Sequence, residues 1–172
     1  MVIARTDFAH KELARQFHDR EIAKEYLALS HGIPTTLSGE IDLPLARSLT
    51  DPRKRVVRHE QAARESYTAW KQIRTIGNDS MKGICWFHCF PRTGRTHQIR
   101  VHLRAIGHPI LCDFHYGRET KLDLSRWVPA APAAPLERHA LHAWRLHLRH
   151  PSSHQSMHFE APLPEDLLPW WE

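Results

Sequence analysis

The chain has 172 residues, 41% of them hydrophobic, with 24 Lys and Arg against 19 Asp and Glu. That length suits one domain with a real core, and the apolar content excludes a disordered chain. Three cysteines are too few for a disulfide framework, and no apolar run is long enough to cross a bilayer, so a reducing, cytoplasmic setting without membrane contact is expected.

Residues 2–4 read as the end of a strand. Thr6 or Asp7 caps a helix to about Arg20, with His10, Leu13, Ala14 and Phe17 as its buried stripe. Residues 24–29 read as a strand, with Tyr26 and Ala28 on one face and Leu27 and Leu29 on the other. Pro34, Gly39 and Pro44 break residues 32–44 into turns and short strands. Arg47, Arg53, Lys54, Arg55 and Arg58 then stand against a lone Asp51, and a solvated face accounts for that cluster.

Residues 67–76 and 84–90 read as a hairpin turning at Gly77-Asn78-Asp79. The second strand is apolar apart from His88, so burial on both faces is expected. Its Cys85 and Cys89 share a face but stand about 13 Å apart at ~3.3 Å per residue, too far for one tetrahedral zinc. A structural role is expected for both.

Residues 96–106 read as a helix closed by Gly107 and Pro109. Ile99, His102, Leu103 and Ile106 form its inward stripe; His97, Arg100 and Arg104 share a basic side. No acid interrupts the run from Arg92 to Arg104, and the amides at the helix start favour an anion. Residues 113–138 lack periodicity, and the proline-rich stretch 129–135 reads as a loop. Residues 141–148 alternate as a strand, with His142, Trp144, Leu146 and Leu148 on one face; residues 157–159 return beside it. Trp170 and Trp171 are either packed or a sticky end. The fold class is α+β: a mixed, mostly antiparallel sheet with flanking helices.

Several segments carry a resemblance. The longest is Gly94-Arg95-Thr96-His97-Gln98-Ile99-Arg100-Val101-His102-Leu103, continued by Ile106-Gly107-His108-Pro109-Ile110-Leu111, Asp113 and Tyr116-Gly117. Others are Val2-Ile3-Ala4-Arg5-Thr6, Lys24-Glu25-Tyr26-Leu27-Ala28-Leu29, Gly39-Glu40-Ile41, Leu141-His142-Ala143 and Phe159-Glu160-Ala161-Pro162. In this order the chain resembles the RluA family of RNA pseudouridine synthases over nearly its whole length.

The resemblance implies a synthase-like catalytic core that isomerises uridine to pseudouridine in ribosomal or transfer RNA, without cofactor or metal. The base is cut from its ribose, turned and rejoined through C5. Tyr26 matches the tyrosine that stacks on the target base and is proposed to help remove the proton from C5, and Arg100 the arginine that pairs with the catalytic aspartate. Arg95, His97 and His102 match neighbouring motif positions; with Arg92 and Arg104 they are the expected RNA contacts.

The family's nucleophilic aspartate lies in a His-Arg-Leu-Asp segment just before the strand matched by residues 2–5. The 172 residues do not contain that segment. Residues 1–172 are therefore expected to be an N-terminally truncated, partial catalytic domain without turnover of its own. The alternative is a non-enzymatic RNA-binding remnant. Arg100 is expected to be exposed, or to meet phosphate or another acid. An exposed sheet edge, with self-association through it, is expected too.

Overall fold

The computed structural model describes every residue except 1, 61, 78–82, 118, 129–134 and 172. The expected turn at Asn78-Asp79 and most of the proline-rich loop lie outside the described residues. Thr6 caps helix α1 (Asp7–His18), its hydroxyl accepting from the Ala9 amide at 3.2 Å. Then come β1 (Ala23–His31), β2 (Ser38–Asp42), β3 (Leu45–Arg47), β4 (Arg55–Val57), β5 (Tyr67–Ile76) and β6 (Ile84–Pro91). Helix α2 (Gln98–Ala105), β7 (Leu122–Asp123), β8 (Pro135–Leu136), β9 (Leu141–Arg149) and β10 (Ser156–Glu160) complete the order.

Six strands form one sheet in the order β10-β9-β1-β6-β5-β2, and each neighbouring pair is antiparallel. The sheet is therefore antiparallel throughout the described residues rather than mixed. β3 pairs with β4, and β7 with β8, as two small ribbons. The expected hairpin of residues 67–90 is β5–β6, and β6 lies inside the sheet with Ile84, Trp86 and Phe87 wholly buried. Pro135, expected in a loop, opens β8 instead, where Leu136 is buried against Leu122.

The register divides the sheet into two faces. Tyr26 stands opposite Cys89, and Ala28 opposite Phe87, so these share the face on which α2 packs. Leu27, Leu29 and Trp86 point the other way, where the chain end folds back. Trp86 Nε1 donates to the Trp170 carbonyl at 2.7 Å, and Trp171 meets the Trp86 ring edge-on at 5.2 Å. The terminal tryptophans are thus packed.

Cys85, Cys89 and Cys112 are free and buried. Burial pushes the Cys85 thiol up to about 12 and that of Cys112 to about 11. These are inert core thiols. Among the described residues no group of His, Cys, Asp and Glu is placed to hold a metal.

Three further sequence expectations change. Residues 2–4 are not a strand, because none of the described strands pairs with them. The buried side of α1 is Leu13 and Gln16, while His10, Ala14 and Phe17 face solvent. Gln16 causes this rotation: its amide donates to the Arg149 carbonyl and accepts from the Arg149 amide, both at 3.0 Å, docking the helix on the end of β9. The single face expected for β9 is broken by a bulge. Glu25 pairs with Arg145 but Tyr26 with Ala143, so Trp144 is the extra residue. His142 consequently faces with Leu27, whereas Leu146 faces with Lys24 on the opposite side.

Candidate active site

The segment from β6 to α2 is held by one buried amide. Gln98 Nε2 donates to the Tyr67 carbonyl at 2.9 Å and to Thr68 Oγ1 at 3.0 Å. Its Oε1 accepts from Thr93 Oγ1 at 2.7 Å and from the Arg95 amide at 3.0 Å. Thr93 Oγ1 in turn accepts from the Tyr67 amide at 3.0 Å. Gln98 thereby fixes residues 93–95 against the start of β5. His97, at the helix N-cap, adopts a left-handed φ of 59°. At the far end Gly107, at φ +88°, closes α2: its amide donates to the Arg104 carbonyl and that of His108 to the Leu103 carbonyl.

Between this segment and β1 lies a cavity of about 280 Å³. Lys24 and Tyr26 form one wall; Arg95, His97 and Arg100 form the other, with His139 between. Burial raises the Tyr26 phenol above its ordinary value and lowers the Lys24 ammonium. Burial, then the Arg100 charge, lowers His97 and His139, so both imidazoles are neutral at pH 7.

Arg100 is neither exposed nor unmatched. Its Nε donates to Asp113 Oδ2 at 2.7 Å and its Nη2 to Asp113 Oδ1 at 2.6 Å. Oδ1 also accepts from the amides of His115 and Tyr116, at 3.0 and 3.1 Å. Burial by itself would raise the Asp113 carboxyl; Arg100 and these two amides outweigh it and hold the pKa below the usual range. Among the described residues nothing accepts from Arg100 Nη1. A guanidinium has five donors, so Arg100 keeps donor capacity for an anion in the cavity.

Tyr116 ties this centre to the small ribbon. Its hydroxyl accepts from the Arg55 amide at 2.7 Å and lies 3.0 Å from His97 Nδ1, while the Arg100 guanidinium sits 5.0 Å from its ring centre.

The residues singled out from sequence do not all meet. Tyr26, Arg95, His97 and Arg100 share the cavity. Arg92 is exposed outside it, 4.6 Å from the Tyr67 ring centre, and Arg104 is exposed one helical turn away. His102 is the inward residue that its place in the helix stripe predicts and not the RNA contact that the resemblance implies: it is wholly buried, and its ring is consumed by Thr68, Ser66 and the Leu43 carbonyl at 2.9–3.0 Å. Nε2 must carry the proton that the carbonyl accepts, and burial lowers the pKa, so His102 is a neutral bracing group. Lys24 and His139 were missed; both sit in segments whose pattern marks a strand or a loop, with nothing local to mark a cavity wall. Asp113 stands in the sequence only as part of the motif's continuation, and the Arg100 contact across 13 positions has no local signal.

A second, larger groove of about 780 Å³ opens on the other side of Lys24 and Tyr26. Ile3, Phe17 and Phe159 line it while remaining largely exposed. Residues 2–4 form part of its wall.

The family model described as RNA pseudouridylate synthase matches residues 1–105. Ribosomal large subunit pseudouridine synthase D of Zymomonas mobilis is 37% identical over 97% of this chain and 50% of its own length. The dual-specificity RNA pseudouridine synthase RluA of Salmonella typhi is 35% identical over 94% of this chain and 67% of its own. The structure of human RNA Pseudouridylate Synthase Domain Containing 1 superposes with a TM-score of 0.74 at 26% identity, covering 98% of this chain and 65% of that one. The chain spans about half the length of the first curated relatives it matches, 50% and 45%.

Proposed function

Because this chain belongs to the RNA pseudouridylate synthase family, we propose that its cavity is the nucleotide-binding half of a uridine-isomerising site. The observation that carries this is the meeting of Tyr26 and Arg100 in one cavity of about 280 Å³. A uridine turned out of its RNA stacks on Tyr26, and this contact offsets lost base stacking. Arg95 and His97 hold the adjoining phosphate. Arg100, oriented by Asp113, presents its remaining donors to the carboxylate of the nucleophile. Tyr26 enters as a neutral phenol, since burial moves its pKa away from neutrality; stacking and hydrogen-bond donation suit it better than resting as a base.

Residues 1–172 hold no His-Arg-Leu-Asp segment, and Asp113 is a poor candidate for the nucleophilic carboxylate. Its side chain is sealed from solvent and accepts four hydrogen bonds, so it cannot approach a ribose. Residues 1–172 are thus proposed to be a partial catalytic domain that binds RNA in the cytoplasm without isomerising it. The RNA-binding remnant is the second reading, favoured by that engagement of Asp113. Self-association accompanies either reading, supported by the apolar groove beside β10, an edge strand.

The test is pseudouridine formation on bulk uridine-containing RNA, read by tritium release or mass, beside RNA binding by the same preparation. Binding without product is expected. Product formed by these residues alone overturns the inactive reading, and absence of both binding and product overturns the site.

A further inference from the structure

The basic cluster at residues 47–58 and the motif helix are some forty positions apart in sequence, yet the fold joins them. Leu45 of β3 and Val57 of β4 pack with Val101 of α2 and Tyr116. The Arg55 amide is bonded to the Tyr116 hydroxyl, which reaches His97 at the cavity wall. The ribbon therefore stands beside the cavity, with Arg47 and Arg53 exposed. Asp51 offsets part of this charge through Arg53 at 3.0 Å, and Lys54 adds to it on the same turn.

Tyr116 also borders a row of rings. His97 and His115 stack at 5.8 Å between centres with 28° between planes, and the Phe114 ring meets His115 at 5.2 Å. Phe114 is 74% exposed. The row begins at the cavity wall, where Tyr116 touches the ribbon, and ends in solvent with Phe114 edge-on to His115 at 67° between planes. An exposed ring near a group of cations is what a single strand of nucleic acid requires: a face for a base and a counter-charge for each phosphate.

Resting on the proposed nucleotide cavity, we infer that the β3–β4 ribbon and the Phe114–His115 turn form one surface for the unpaired RNA strand flanking the target uridine. Arg47, Arg53 and Lys54 hold its phosphates, and Phe114 stacks a neighbouring base. The solvated face expected from sequence becomes a binding element.

The test is fluorescence anisotropy of a labelled single-stranded RNA of about twelve nucleotides, within the ~4–16 that such surfaces cover, titrated at several KCl concentrations. The combined variant Arg47→Gln, Arg53→Gln, Lys54→Gln is expected to weaken binding and to lower the slope of log affinity against log salt by about 2, at ~0.7 per phosphate. Phe114→Ala is expected to weaken binding about tenfold with the slope unchanged, and Phe114→Trp to restore it. Lys11→Gln on α1 is the control for charge alone, and thermal melts matching the parent establish that each variant is folded. If both ribbon and Phe114 variants bind like the parent while Arg95→Gln loses affinity, this surface is wrong and the cavity stands. If the parent binds no RNA, both fall. A preference for duplex RNA that Phe114→Ala leaves unchanged overturns the single-strand assignment.

Discussion

Arg100 and Asp113 lie side by side, Nε on Oδ2 at 2.7 Å and Nη2 on Oδ1 at 2.6 Å, with the carboxylate closed to solvent and the guanidinium lining the cavity. A helix and the turn that follows it are thus fastened by one ion pair at the edge of the site.

Asp113→Asn removes the charge that Arg100 is paired with. Breaking a buried pair from one side costs roughly 3–5 kcal/mol, so chemical denaturation should show a loss of that order. The contribution also has a pH window. The Asp113 pKa is depressed in the folded state, so the unfolded chain binds its proton first as pH falls. The stability difference between parent and Asp113→Asn should be constant above about pH 5 and shrink once pH drops below ~3.9, the unfolded value.

His102 titrates in the same direction but in a higher pH range, because here it is the neutral form that burial favours. Its pKa is lowered by burial, so below ~6.5 the unfolded chain takes up a proton that the folded chain refuses. Stability is full above that value and falls as pH falls from it toward the folded pKa. Urea denaturation between pH 7.5 and 5.5, about one unit either side of that value, should show this slope, and His102→Gln should reduce it while lowering stability at pH 7.5. An undiminished slope in the variant would assign the titration to other buried histidines.

Gln98→Ala withdraws four hydrogen bonds from the Tyr67–Thr93–Arg95 corner. With ~1–3 kcal/mol for each buried group left unmatched, the variant should melt at a markedly lower temperature and bind RNA more weakly. Gln98→Glu should not rescue it, since a second carboxylate oxygen would face the Tyr67 carbonyl.

Two glycines separate crowding from backbone strain. A methyl on Gly117 would lie 2.8 Å from the Asp113 carbonyl oxygen and 2.9 Å from its amide nitrogen, neither of which is free to move aside. Gly117→Ala should cost about 1–3 kcal/mol and disturb the Arg100 pair. Gly107 has open space but a positive φ of 88°, so Gly107→Ala should cost only the ~1–2 kcal/mol of a left-handed residue and leave RNA affinity unchanged. Equilibrium unfolding and anisotropy measure both.

Tyr26→Phe should retain RNA binding if the ring supplies a stacking face, while Tyr26→Ala should lose about tenfold. Equal losses in the two variants would shift the weight to the hydroxyl.

The long strands were legible because each carries its own signal. β5 matches the expected 67–76 at both ends, and the composition of β6, apolar apart from His88, announced an interior strand. The misreadings arose where a partner distant in sequence decided the outcome. Arg149 turned α1 about its axis through Gln16, and β1 forced Trp144 out of step with its neighbours. The site divides the same way. Its basic residues stand in one motif, and the helix stripe already turned His102 inward, but Lys24 and His139 reach the site only through the fold.

The Gln98 corner also bears on how a nucleotide is received. Every polar atom of that side chain is already engaged inside the protein; the Arg95 amide donates to it, and the Tyr67 amide donates to its partner Thr93 Oγ1. The cavity wall they build is therefore part of the cooperative unit that unfolds with the sheet, not a segment that orders on contact. An arriving uridine meets a shape that already exists, so the conformational entropy of making it is lost during folding rather than on binding, and the amide hydrogens of this corner should exchange with solvent as slowly as those of β6.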